Sequence, residues 1–229
     1  MNRTGASRAR DRQGAVSAAP SGNPSRLHRH SRRFYLRPTL VVARELIGCT
    51  LVRKTRRGIL AGRIVEVEAY LGRRDPASHS YRGRTARNDV MFWEGGHLYV
   101  YFTYGMHYCA NVVTETGGRG CAVLLRAAEP VAGVGAMARR RGLRPDDLRE
   151  ICNGPAKLCQ ALGIGRGENG ADLAGETIFL AADRESARRR AIVRGPRVGI
   201  RAGTDRHYRY FEKGNRFVSG PRRTSQPAS

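Results

Sequence analysis

The chain has 229 residues, of which 42 are Lys or Arg and 19 are Asp or Glu, giving a formal net charge of +23. That length suits one folded domain with tails and needs no disulfide staples. The charge points to a polyanionic partner, nucleic acid ahead of an anionic membrane, and says nothing about fold. Five cysteines (Cys49, Cys109, Cys121, Cys152 and Cys159), none in a CxxC pair, exclude a disulfide framework and a spaced zinc site. They fit a reducing, intracellular compartment. There is no apolar run of the roughly 18 residues a bilayer span needs, and no apolar stretch follows the N-terminus as in a secretory signal.

Residues 1–33 are rich in Arg, Ser, Gly, Ala and Pro. With so little to bury they are expected to form a disordered basic arm; the composition also resembles an organelle transit peptide. Residues 218–229 are expected to be a flexible tail, leaving a folded domain over 34–217. TLVVARELIG (39–48) predicts a helix with Thr39 as N-cap, Leu40, Ala43, Leu46 and Ile47 as its apolar stripe, and Gly48 as its stop. CTLVRKT and ILAGRIVEVEAYL flank a turn and read as a hairpin. LYVYF, YCANVVT and CAVLLRAAEP read as three further strands, joined through TYG and TGGRG. Beyond Pro130, VAGVGAMARRRG, PDDLREIC and NGPAKLCQALGI read as helices. In the last, Asn153 is the expected N-cap and Pro155 sits in the first turn. Lys157 lies at the same positive end, where free N–H groups and one cation can take a phosphate; an ordinary capped helix is the alternative. ETIFLAA reads as a strand, followed by an arginine cluster and YRYFEKGN.

Residues two apart on a strand share a face. In RIVEVEAYL this puts Ile64, Glu66, Glu68 and Tyr70 on one side and Val65, Val67, Ala69 and Leu71 toward the core. Two carboxylates about 7 Å apart next to an aromatic ring suit a general base acting on water; two exposed Glu residues paired to Arg are the alternative. Tyr99 and Tyr101 share a strand face and Tyr104 sits at a turn, an arrangement that suits base stacking or wedging into a duplex, though Tyr is also simply a good strand residue. His79, His97 and His107 form no metal-ligand spacing. No GxxxxGK[ST] loop, dinucleotide fingerprint or GxSxG elbow is present.

EVEAYLG, DPASHSYRGRT, LYVYFTYGMHYCAN, LLRAAEP and GPAKLCQALGI together, in this order, closely resemble the alkyladenine (3-methyladenine) DNA glycosylase family in its bacterial form, over about Phe34 to Phe217. The resemblance implies an α+β single domain: a curved, partly open barrel-like antiparallel sheet surrounded by helices, with a protruding β-hairpin that enters the DNA minor groove. It implies a monofunctional hydrolase of base excision repair that flips alkylated or deaminated purines out of duplex DNA and uses no cofactor and no metal. Carried over residue by residue, Glu68 activates the attacking water and Arg126 helps to hold it. Tyr70, His79 and Tyr101 sandwich the flipped base, with the His79 N–H toward the purine edge, and Asn111 crowds the exocyclic amine of guanine. Tyr104 fills the gap left in the duplex, with Met106 beside it. Glu66 has no role in this transfer. A cytoplasmic, nucleoid-associated monomer acting on damaged double-stranded DNA is expected. Electron-rich rings suit a cationic, alkylated purine. A non-catalytic basic nucleic-acid-binding protein is the competing reading, disfavoured by the carboxylate among these residues. A carbohydrate glycosidase using Glu66 and Glu68 ranks lower, because neighbouring carboxylates on one strand do not flank a bond from both sides. The WEGGHL segment with Trp93 and the arm before Phe34 depart from the shared pattern.

Overall fold

A computed structural model describes residues 27–183 and 191–220. Nine strands form one sheet: β1 (Leu27–Arg29), β2 (Thr50–Thr55), β3 (Gly58–Leu71), β4 (Leu98–Thr103), β5 (His107–Thr114), β6 (Cys121–Ala132), β7 (Ile178–Asp183), β8 (Ile192–Gly195) and β9 (Arg209–Glu212). The order is β1-β7-β2-β3-β6-β5-β4, with β8 joined to β9 and β9 to β3. Every ladder among the described strands is antiparallel. The helices are α1 (Arg32–Tyr35), α2 (Thr39–Leu46), α3 (Val134–Arg141), α4 (Leu148–Ile151) and α5 (Pro155–Leu162). The domain is thus α+β, with few helices against a large sheet.

β3 is the axis of this sheet. Its first half pairs with β2 and its second half with β9, while β6 runs along its other edge. On one sheet face Ile64, Val67, Ala69, Val112, Val123 and Leu125 pack against Val42 and Leu46 of α2 and Leu158 and Leu162 of α5. Burial of this apolar surface is the main driving force for the arrangement.

Strict alternation along β3 does not hold. Ile64 pairs with Ala128 and Glu66 with Ala127, which leaves Val65 without an opposite number; Glu66 with Ala127 and Val67 with Leu125 leaves Arg126 in the same position on β6. These are two β-bulges, one on each strand, and each re-aims a side chain. Ile64 therefore joins Val67 and Ala69 in the main core, and Val65 packs on the opposite side with Ala127 and Phe217. The expected face of Ile64, Glu66, Glu68 and Tyr70 is corrected at Ile64, and the expected core set at Val65. Because each bulge adds one residue to its own strand, the register beyond them is restored.

The described structure starts ahead of Phe34: Leu27–Arg29 pair with β7, and Arg32 bonds Asp172 at 2.8 Å. It also runs past Phe217, since Ser219 donates two hydrogen bonds to Glu66. The remainder of the expected arm and tail, 1–26 and 221–229, lies outside the described residues. Thr39 opens α2 but does not cap it. Its N–H and Oγ1 both donate to Glu115 Oε1, at 3.2 and 2.5 Å, so a carboxylate from the β5–β6 turn serves the positive helix end. Asn153 is likewise not the cap of α5, where Gly154 takes that place. No helix among the described residues is long and apolar enough to cross a membrane.

Replacing Glu115 with Ala removes both acceptor contacts at the start of α2. The expected cost is about 1–2 kcal/mol, read as a lowered denaturant midpoint at unchanged slope; an unchanged midpoint would contradict the capping role.

Candidate active site

Residues directly opposite in antiparallel strands project to the same face. Arg209 on β9 is opposite Glu68 on β3, Glu68 is opposite Leu124 on β6, Leu124 is opposite Asn111 on β5, and Asn111 is opposite Tyr99 on β4. One row across five strands thus carries an acid to a tyrosine on the face away from α2 and α5. A second row, one step along, pairs Cys109 with Tyr101, and Tyr99 and Tyr101 stack at 5.5 Å.

Above these rows lies a cavity of about 430 Å³, lined among others by Tyr70, His79, Tyr101, Asn111, Leu124 and Arg126. Its size falls in the range of small-ligand pockets. Tyr104 from the hairpin and the segment Val198–Ala202 complete its rim. The ring of His79 meets Tyr101 edge-on at 4.5 Å, and its Nδ1 lies 3.3 Å from the Tyr99 hydroxyl. Desolvation by the surrounding protein, then the Arg87 cation, lower the His79 pKa, so the ring is neutral at neutral pH. Asn111 is buried and donates Nδ2 to the Tyr99 carbonyl at 3.3 Å.

Both carboxylates of EVE are buried completely, which rules out the alternative of two exposed strand residues. They differ in company. Glu66 receives four donors: Arg126 Nε at 2.9 Å, Arg209 Nε at 2.6 Å, Ser219 N–H at 2.6 Å and Ser219 Oγ at 2.9 Å. Three of these donors share Oε1 and one takes Oε2, and of the residues that supply them only Arg126 lines the cavity. Glu68 receives the Tyr70 hydroxyl at 2.9 Å and the Val198 N–H at 2.7 Å, with Arg126 Nη1 at 3.3 Å. All three of its neighbours line the cavity. The bulge at Arg126 is what lets one guanidinium reach both acids. Burial works against the Arg126 charge, but Glu68 and then Glu66 outweigh it and raise its pKa. Burial, followed by the Glu68 charge, raises the Tyr70 pKa well above the phenol range, so Tyr70 stays a donor to Glu68.

The segment that supplies Val198 is held by Arg197, which sequence reasoning left inside an unassigned arginine cluster. Arg197 grips Asp75 through two parallel bonds of 2.5 and 2.8 Å, donates to the Ala69 carbonyl at 2.9 Å, and lies 4.7 Å from the Tyr70 ring centroid. Asp75 belongs to the DPASHS stretch, so the same pair ties down the loop carrying His79. An Asp four residues from a strand end is an ordinary loop signal, and nothing in the sequence paired it with a residue 122 positions on.

The hairpin tip is a tight turn in which Tyr104 and Gly105 both have positive φ, 51° and 68°, and Met106 N–H returns to the Thr103 carbonyl at 3.4 Å. Left-handed backbone costs a side-chain-bearing residue roughly 1–2 kcal/mol, and Tyr104 nevertheless stands 86% exposed there, with Met106 71% exposed. Lys157 is engaged by Glu150 Oε2 and Asn153 Oδ1, both at 2.9 Å. His97 packs against Trp93, and His107 pairs with Thr103 beside the hairpin turn; neither is among the residues lining the cavity. Among the described residues no group of three or more His, Cys, Asp or Glu gathers as for a metal ion.

Burial works to raise the Asp75 pKa, but Arg197 outweighs it and the net shift is downward. A depressed native pKa stabilises fully above the unfolded value of about 3.9 and is lost as pH falls through the native one. Asp75→Asn is therefore expected to cost about 3–5 kcal/mol near neutral pH by leaving Arg197 buried and unpaired. Its thermal midpoint should also fall less steeply than that of the wild type below about pH 4. Parallel acid profiles would contradict this.

Residues 33–216 match the family model described as methylpurine-DNA glycosylase (MPG). The chain is 50% identical over 188 residues to a protein of Carboxydothermus hydrogenoformans, covering 82% of this chain and 97% of that one. It is 49% identical over 193 residues to one of Burkholderia lata, covering 83% and 90%, and 50% identical over 188 residues to one of Methanoculleus marisnigri, covering 81% and 96%. All three relatives carry the name "Putative 3-methyladenine DNA glycosylase". Since they are both bacterial and archaeal, the resemblance is wider than the bacterial form alone. With a family model spanning nearly the whole described domain and relatives at half identity, the chain belongs to the methylpurine-DNA glycosylase family.

Proposed function

We propose that Glu68 is the general base of a DNA glycosylase reaction in which a flipped, damaged purine occupies the 430 Å³ cavity. Family membership makes the chain a DNA repair hydrolase of N-glycosyl bonds acting on alkylated bases. The observation that carries the mechanistic reading is the unequal company of the two buried acids: of the groups donating to Glu66 only Arg126 lines the cavity, whereas Tyr70, Val198 and Arg126, the three groups on Glu68, all line it.

A base inside a duplex is unreachable, so the nucleotide must leave the stack at a cost of a few kcal/mol. Tyr104, held outward at the hairpin tip with Met106 beside it, takes the vacated place and offsets part of that cost by restoring stacking, worth roughly 1–3 kcal/mol per base. The purine enters between Tyr70 on one side and His79 and Tyr101 on the other, with the His79 N–H toward its edge. Asn111 at the cavity wall crowds the exocyclic amine that distinguishes normal guanine. Arg87 and Arg201 at the rim meet the flanking phosphates, and Lys157 adds a cation whose remaining N–H is available to a phosphate.

Water bound to Glu68 and Arg126 then attacks C1′ of the deoxyribose. Its oxygen bonds to C1′ while Glu68 takes the proton, and the C1′–N bond breaks with its electron pair leaving on the purine. A purine alkylated at N3 or N7 starts as a cation and so departs neutral; no acid is needed for it. The sugar passes through an oxocarbenium-like state, which the Glu68 carboxylate stabilises. The substrate range proposed is 3-methyladenine and 7-methylguanine together with the deaminated and etheno purines, hypoxanthine and ethenoadenine.

The test is base release from duplexes carrying each of these purines, scored as alkali-labile abasic sites under single turnover. Glu68→Gln is expected to lose about 10²–10⁴-fold in rate while still binding lesion DNA, and wild-type-like excision by it would sink the assignment. Tyr104→Gly, which relieves the positive φ, is expected to fold at least as well as the wild type and to lose lesion-specific binding while keeping salt-sensitive binding to undamaged DNA. Equal losses of both would argue against a wedge.

A further inference from the structure

Glu66 is a carboxylate with four hydrogen-bond donors that the reaction above does not use. It lies two residues before Glu68 on β3, is wholly buried, and shares the Arg126 guanidinium with Glu68 through different nitrogens, Nε to Glu66 at 2.9 Å and Nη1 to Glu68 at 3.3 Å. The charges alternate along one line: Arg209, Glu66, Arg126, Glu68. A lone guanidinium opposite a lone carboxylate adopts the two-bond, fork-to-fork geometry that is strongest. That geometry would occupy both Glu68 oxygens. Here Nε is already committed to Glu66, so Arg126 offers Glu68 one edge at a longer distance.

We propose that Glu66 is a positioning residue. It anchors Arg126 so that the guanidinium meets Glu68 through one edge rather than through a two-bond fork over both of its oxygens, which leaves the carboxylate able to take a water. Ser219 and Arg209 complete the device. Ser219 gives Glu66 a main-chain and a side-chain donor and takes Arg126 Nη2 on its Oγ at 3.2 Å. The segment after Phe217, expected as a tail, is in this way part of the rear wall of the site. The charged and titratable groups facing the two acids are accounted for by element: Tyr70 from β3, Arg126 from β6, Arg209 from β9 and Arg197 beside Val198. Glu66 supplies the second negative charge that keeps Arg126 from belonging to Glu68 alone.

This inference rests on Glu68 being the base, so the experiment runs Glu66→Gln, Ser219→Ala and Glu68→Gln side by side. Single-turnover release of hypoxanthine from a duplex is measured across pH. Binding is measured separately with a duplex carrying a 2′-fluoro hypoxanthine nucleotide, whose glycosidic bond resists cleavage. Glu66→Gln is expected to lose about 10–100-fold in rate, the scale of a misplacement of order 1 Å, with lesion-duplex Kd unchanged. The acid limb of its rate profile is expected to move to lower pH, because a neighbouring like charge has gone and Arg126 pairs with Glu68 alone. Ser219→Ala, which removes only the hydroxyl, should show a smaller loss in the same direction and carries the test if Glu66→Gln does not fold. A rate equal to wild type in both variants overturns the proposal. So does a loss of rate matched by an equal loss of binding with no downward movement of the acid limb, the signature of a loosened fold. Retained excision by Glu68→Gln would instead remove the reading of the site on which the proposal stands.

Discussion

A single guanidinium, that of Arg126, stands between two buried carboxylates, and the geometry of the whole site follows from holding it there. Buried charge is costly unless paired and fully bonded. The chain meets this requirement by converging on it from three strands and one further segment: Glu66 and Glu68 from β3, Arg126 from β6, Arg209 from β9, and Ser219 from the stretch that follows. The paired bulges at Val65 and Arg126 are the backbone device that makes this possible. Without them Arg126 would sit directly opposite a β3 residue and serve one acid. With them, the two strands keep their register on either side while their side chains are re-aimed in between.

From that centre outward the site is built by cross-strand rows. The row from Arg209 through Glu68, Leu124 and Asn111 to Tyr99 uses one residue from each of five strands. Sheet pairing alone therefore carries the reactive acid to the aromatic wall over a rigid path. What the sheet does not supply, the loops do, and they are tied together by one buried pair. Asp75 and Arg197 fix the His79 loop against the Val198 segment and press a cation on the Tyr70 ring. The face of the sheet toward α2 and α5 is the main apolar core, and the opposite face carries the polar machinery beside two smaller apolar clusters.

Much of this was legible in the residues. Apolar, β-branched and aromatic runs bounded by turn residues identified β3, β4, β5 and β6. Gly48, and Gly142 and Gly163 with their positive φ, ended helices where glycine should. The TYG turn placed Tyr104 at a tip, and the run EVEAY marked the acids. Strand periodicity could not choose between Glu66 and Glu68, and the reason is physical: the choice lies in which donors surround each one, and these come from residues as far as 153 positions away. Bulges escaped notice because a bulge is defined only against a partner strand. Thr39 has the side chain of a cap, yet the helix already begins at it, and its N–H and hydroxyl both donate to Glu115, an acceptor from another turn. Ser219 and Arg197 were hidden in segments whose composition read as tail and as undifferentiated basic charge.

The most direct test of the central claim is a crystal structure of the protein on a duplex containing the 2′-fluoro hypoxanthine nucleotide. The expected result is the purine out of the stack and within the cavity among Tyr70, His79 and Tyr101, Tyr104 inside the duplex, and an ordered water touching both Glu68 and Arg126 and facing C1′. A purine left in the stack, or a flipped purine with its C1′ turned away from Glu68, would contradict the account.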